Sequence, residues 1–151
     1  MRKGEGLRLR SWNGTCEPAS MKKAGILNSE ISHVVSQLGH TDRLVICDAG
    51  LPIPSHVRRI DVALTCGVPS FLSVLQAVLL ELRVEQAFCA EELGVGSPGL
   101  SAELRLALGD ARCTELSHEA FKRMTHDAKA IIRSGECTPF ANVILQAGVT
   151  F

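Results

Sequence analysis

The run Leu44-Val45-Ile46-Cys47 is the strongest constraint this chain places on its own fold. Four consecutive apolar residues leave no polar face, so a strand built from them must be covered on both sides. The run follows a helix-like stretch that stops at Gly39. It precedes the rigid turn Gly50-Leu51-Pro52-Ile53-Pro54. His40 stands just before it and Asp48 at its far end. A titratable imidazole and a carboxylate therefore flank one doubly buried strand.

Helical and strand patterns alternate on either side of this run. Asn28 or Ser29 caps a helix whose apolar positions are Ile31, Val34, Val35 and Leu38. Arg59 to Leu64 alternates as a half-exposed strand does. Pro69-Ser70 opens a second helix, with Phe71, Val74, Leu75, Val78, Leu79 and Leu82 as its apolar stripe. Val84 to Ala90 is a further strand, and Gly94 to Gly99 is a loop. Ser101 caps a helix from Ala102 to Leu108 that Gly109 ends. Cys113 to Leu116 is a short strand. Ser117 caps a helix carrying His118, Phe121 and Met124. Ala130 to Ile132 and Phe140 to Val149 complete the strands. This alternation predicts a single α/β domain with a largely parallel sheet flanked by helices.

Residues 1–20 show neither period and are read as a disordered or loosely attached extension to a domain spanning 21–151. One hypothesis is that Met21 is the native start. No segment is long and apolar enough for a membrane helix, and none has the h-region of a secretory signal.

Composition narrows the function. Sixteen basic and sixteen acidic side chains cancel, so no nucleic-acid partner or anionic membrane is indicated. Five Phe, one Trp and no Tyr argue against a base-stacking platform or a large aromatic sugar groove. Cysteines at 16, 47, 66, 89, 113 and 137 contain no C-x-x-C pair. Cys47 and Cys89 sit in apolar runs as small buried thiols, and a reducing cytosol suits the set better than a disulfide framework.

Three side chains are candidates for chemistry. A carboxylate at a strand's carboxyl end, like Asp48, is where α/β sheets place ligand groups; a turn aspartate bonding its own backbone is the simpler alternative. His40 can equally be a helix-terminal histidine that only favours the dipole. His118 follows a capping serine, where the helix dipole disfavours imidazolium, but a surface histidine has the same pattern. Arg133-Ser134-Gly135-Glu136 matches no phosphate loop and is read as a plain turn. His33, His40, His56, His118 and His126 show no metal-ligand spacing, so a metal site is rejected. A nucleophilic pairing of Cys137 with His118 rests on nothing beyond their presence.

Longer motifs carry a resemblance. These are Leu27-Asn28-Ser29, Leu38-Gly39-His40-Thr41-Asp42, Cys47 to Pro54, Arg59-Ile60-Asp61, Gly67-Val68-Pro69-Ser70-Phe71, His118 to Lys122, Ile132 to Pro139 and Ala141-Asn142. From Met21 to Phe151 the chain resembles the ribose pyranase and fucose mutarotase family. The resemblance implies a cytoplasmic, cofactor-free intramolecular isomerase. It would interconvert β-pyranose and β-furanose ribose and so supply furanose to ribokinase. It also implies a ring-shaped homo-oligomer, a decamer of two pentamers, with sites at subunit interfaces. By the same resemblance His40 is the proton donor. Asp48, His118, Phe140, Ala141 and Asn142 bind the sugar, and the C-terminal segment is expected from a neighbouring subunit. The family usually has tyrosine where this chain has Phe140. The alternatives are a mutarotase on another sugar such as fucose, or a non-catalytic sugar-binding or regulatory protein.

Overall fold

A computed structural model describes residues 22–151. The extension read at residues 1–20 lies outside the described residues.

The six strands are β1 (Arg43–Cys47), β2 (Arg58–Asp61), β3 (Val84–Ala90), β4 (Arg112–Leu116), β5 (Ala130–Arg133) and β6 (Val143–Ala147). They form one sheet in the order β2-β5-β1-β6-β3-β4. β2, β5 and β1 run parallel, as do β3 and β4. β6 is wedged between the two groups, antiparallel to β1 and β3. The largely parallel sheet predicted by the alternation is present, with a central antiparallel strand added. That reversal has a consequence for the site: the start of β6 lies at the same sheet edge as the carboxyl ends of the parallel strands.

The helices are α1 (Ser29–Gln37), α2 (Phe71–Leu79), α3 (Glu91–Gly96), α4 (Pro98–Leu108) and α5 (His118–Met124). The capping chemistry is local. Asn28, Ser70 and Ser117 side chains each accept a backbone N–H of the first turn they precede. Two expectations change. Gly94 to Gly99 is not a continuous loop, because α3 runs to Gly96, and Ser101 is a buried residue inside α4, which begins at Pro98. Proline pre-sets the dihedral of a first helical turn and has no N–H to waste there.

β1 explains why the sheet is sandwiched. Leu44 and Ile46 pack with Ile31 and Val34 of α1, Phe71, Leu75 and Val78 of α2, and Leu104 of α4. Val45 and Cys47 point the other way, against Phe121 of α5, Phe88, Leu51 and Val57. All four residues of the run are fully buried. Among the described residues no helix is long and apolar enough to cross a membrane.

Candidate functional site

The carboxyl edge of the sheet gathers most of the expected site. Asp48 leaves the end of β1, and Asn142 stands immediately before β6, its neighbour. The Asp48 N–H donates to Asn142 Oδ1 at 2.8 Å, and Asn142 Nδ2 donates to Asp48 Oδ2 at 3.3 Å. The other carboxylate oxygen accepts the Gly50 N–H at 2.9 Å. Asn142 is fully buried and Asp48 only 8% exposed, so this reciprocal pair is worth more than the same contacts in water. Asp48 does act as a turn aspartate, but its second oxygen is tied to Asn142 as well.

The next peptides are also pinned. Ala49 N–H donates to Glu136 C=O, and the Ser134 hydroxyl and N–H both donate to Cys47 C=O. Glu136 accepts the Phe71 N–H at the start of α2 and the Thr138 N–H. Partial burial works against its carboxylate, but those hydrogen bonds outweigh it and hold the pKa below the usual 4.5. The Gly135 N–H goes to Pro69 C=O. The Arg-Ser-Gly-Glu segment is therefore a turn whose donors are already used, as read from sequence.

His118 reaches the same place from β4 and α5. Its backbone N–H donates to both carboxylate oxygens of Glu92, each at 3.0 Å. Its ring meets Phe140 edge-on, with centroids 4.9 Å apart and planes at 80°, an arrangement that suits aromatic quadrupoles. Its Nδ1 is buried with no hydrogen-bond partner in the protein. Native structures seldom leave such an atom unpaired, and those that do commonly reserve it for a ligand. Phe140 has φ 65, a left-handed conformation costing a bulky residue about 1–2 kcal/mol. Strain of this kind clusters at ligand sites. Ala141 is fully buried.

Asp48, His118, Glu136, Cys137 and Phe140, with the turn Ala49 to Pro52, line a cavity of about 480 Å³, a size suited to a small molecule. A larger one, about 560 Å³, lies at the opposite sheet edge beside Glu81, Arg83 and Glu85. It lacks converging aromatic and buried polar groups, so the smaller is the better site. Cys137 directs its thiol to Gly135 C=O rather than to His118, which removes the Cys–His nucleophile reading. Cys47 is inert: burial, reinforced by Asp48, pushes its thiol up to about 12. Among the described residues no group of three or more His, Cys, Asp or Glu could hold a metal ion.

His40 is elsewhere. It precedes β1 while Asp48 follows it, and a five-residue strand rises about 3.3 Å per residue, so roughly 15 Å or more separates them. Its Nε2 pairs with Glu85 Oε2 at 3.0 Å, and Glu85 Oε1 accepts from Gln146 Nε2 at 2.9 Å. The Gln146 bond first, and His40 second, hold the Glu85 pKa low. Sequence reasoning passed over Glu85 and Glu92, because a glutamate at an element's end looks like ordinary solvated charge. Within one chain, Phe140 and Asn142 stand at the same sheet edge as Asp48, and His40 stands at the other.

Residues 21–150 match the family described as the RbsD / FucU transport protein family. The D-ribose pyranase of Klebsiella pneumoniae is 54% identical over 139 residues, covering 87% of this chain and all of the relative. That of Citrobacter koseri is 53% identical over the same coverage. The structure of Bacillus subtilis RbsD complexed with D-ribose superposes with a TM-score of 0.84 at 46% identity, covering 87% of this chain and all of that one. The match runs over almost all of the described residues, and the chain belongs to the RbsD / FucU transport protein family.

Proposed function

We propose that this protein is an intramolecular isomerase that interconverts the β-pyranose and β-furanose forms of D-ribose. The observation that carries the reading is the pocket itself. A buried carboxylate locked to Asn142, a histidine with an unpartnered buried nitrogen and an aromatic ring on a strained backbone converge there. They do so in a chain 54% identical to a D-ribose pyranase along that enzyme's whole length.

The chemistry needs only proton transfers. Opening the pyranose breaks the bond from C1 to the ring oxygen. That oxygen gains a proton and the anomeric hydroxyl loses one, giving the aldehyde. Closure through the C4 hydroxyl forms the furanose and restores the anomeric hydroxyl. Nothing is oxidised or reduced, so side chains suffice without a cofactor. A well-placed proton donor or acceptor contributes about 10²–10⁴-fold. Asp48 and His118 hold sugar hydroxyls, the Phe140 face covers the C–H side, and Asn142 keeps the carboxylate oriented.

His40 is the proton donor in this reading, and it comes from a second copy of the chain. The support is its placement at the far end of β1 from Asp48. Glu85 orients its ring. A ring-shaped homo-oligomer, a decamer of two pentamers, presents the amino edge of one subunit to the pocket of another. The five free cysteines among the described residues suit the cytoplasm, where the furanose would be handed to ribokinase.

Saturation-transfer NMR on ribose tests the activity. The protein should speed exchange between pyranose and furanose signals above the buffer rate, with no comparable effect on fucose anomers. His40→Ala should fold and assemble yet lose the effect. Ribose exchange no faster than in buffer would overturn the reading.

A further inference from the structure

Two thiols that the ring-opening chemistry does not use lie on adjoining segments beside the pocket. Cys66 lies between β2 and α2, and Cys137 in the turn after β5. Their segments are laced together. Gly67 N–H donates to Gly135 C=O at 2.6 Å, and Gly135 N–H donates to Pro69 C=O at 2.9 Å. A Cβ at Gly135 would collide with the carbonyl oxygens of Thr65 and Val68, so only glycine permits the approach. Cys66 and Cys137 are exposed and free. They line one cavity of about 220 Å³. Cys137 also lines the sugar pocket on its other side.

We propose that Cys66 and Cys137 form a dithiol modification site that closes to a disulfide by exchange with a small-molecule disulfide, and that closure slows the sugar reaction. The Cys137 thiolate attacks one sulfur of R–S–S–R and releases the first thiolate. Cys66 then attacks the mixed disulfide at Cys137 and releases the second. The two cysteine protons leave with two R–SH, so the protein loses two electrons and the small disulfide gains them. The neighbouring Cys137 side chain raises the Cys66 pKa, which makes Cys66 the slower nucleophile. A bridge needs Cβ atoms within about 4.5 Å, and the hydrogen bond from Gly67 to Gly135 and the shared cavity place the two cysteines on adjoining segments.

The bridge would tie the turn bearing Glu136, Cys137 and Phe140 to the segment before α2. That turn supplies one wall of the pocket. The effect on sugar turnover rests on the proposed function; formation of the bridge does not. The second close pair, Cys89 and Cys113 with Sγ atoms 3.5 Å apart, is a poorer exchange site because Cys89 is buried in the core.

The full-length protein is incubated with oxidised glutathione, alkylated and digested without reduction, and its peptides are mapped by mass spectrometry. A linked Cys66–Cys137 peptide that dithiothreitol removes is expected, and Cys66→Ser should instead retain glutathione on Cys137. Ribose exchange by saturation transfer should fall on the order of tenfold on oxidation and recover on reduction, since loss of positioning costs at least that much. Both thiols alkylated, with no linked peptide, would overturn the site. A linked peptide with unchanged exchange would overturn its coupling to the sugar. If even the reduced protein fails to speed exchange, the functional reading fails while the peptide map still decides the bridge.

Discussion

Asp48 donates its backbone N–H to the Asn142 side chain at 2.8 Å and accepts the Asn142 amide on its carboxylate at 3.3 Å, across the boundary between β1 and β6, with Asn142 fully buried. Ninety-four residues separate them in sequence. Sheet order alone makes them neighbours. Asn142→Ala would leave the Asp48 N–H without its acceptor and free the carboxylate to turn. Removing one partner of a buried hydrogen bond costs about 1–3 kcal/mol. Urea unfolding should register that loss, and the ribose KM should rise in the same variant. A change in stability below about 0.5 kcal/mol, typical of a surface site, would mean that the pair does not hold the pocket.

Phe140 keeps an aromatic face against His118 but offers no hydroxyl. A phenol there could bind a sugar hydroxyl or pass a proton, roles worth about 0.5–1.5 kcal/mol as a simple hydrogen bond. Phe140→Tyr should therefore raise the ribose exchange rate several-fold on that scale. An unchanged rate in a correctly assembled protein would show the ring face alone to be sufficient.

Glu136 joins the start of α2 to the turn that carries Phe140. Its folded pKa lies below the ordinary 4.5. The unfolded chain therefore takes up the proton first as pH falls. The stabilisation is complete above the ordinary value and is lost as pH drops through the folded one. Glu136→Gln keeps an acceptor but not the charge, so its stability deficit against wild type should be present at pH 7 and shrink below about pH 4.5. A deficit that does not change with pH would assign the effect to shape rather than charge.

Much of this arrangement is legible in the residues. The uninterrupted run Leu44 to Cys47 demands cover on both faces, and it has it. Asn28, Ser70, Ser117 and Gly109 punctuate helices through chemistry confined to one turn. What depends on partners is less legible. The direction of β6 is not encoded in its apolar pattern, because a buried strand looks the same run either way. Gly94 and Gly96 suggest a loop, yet the packing of Leu93 holds α3 together. The separation of His40 from Asp48 could have been measured in sequence, since an extended strand between them fixes a minimum distance. The Glu85 and Glu92 contacts could not, because their partners arrive from β6 and α5 and from the turn before β1.

In the proposed enzyme a working site needs two copies of the chain. His40→Ala and Asp48→Ala variants, each inactive alone, can be co-expressed with different tags and the mixed oligomers purified through both. If one subunit supplies His40 and another supplies Asp48, random mixing of the two variants leaves about a quarter of the sites intact in a closed symmetric assembly. Saturation-transfer NMR on ribose should then recover about that fraction of wild-type exchange. Mixed oligomers as inactive as either parent would place His40 and Asp48 in the service of the same subunit's site and contradict the account.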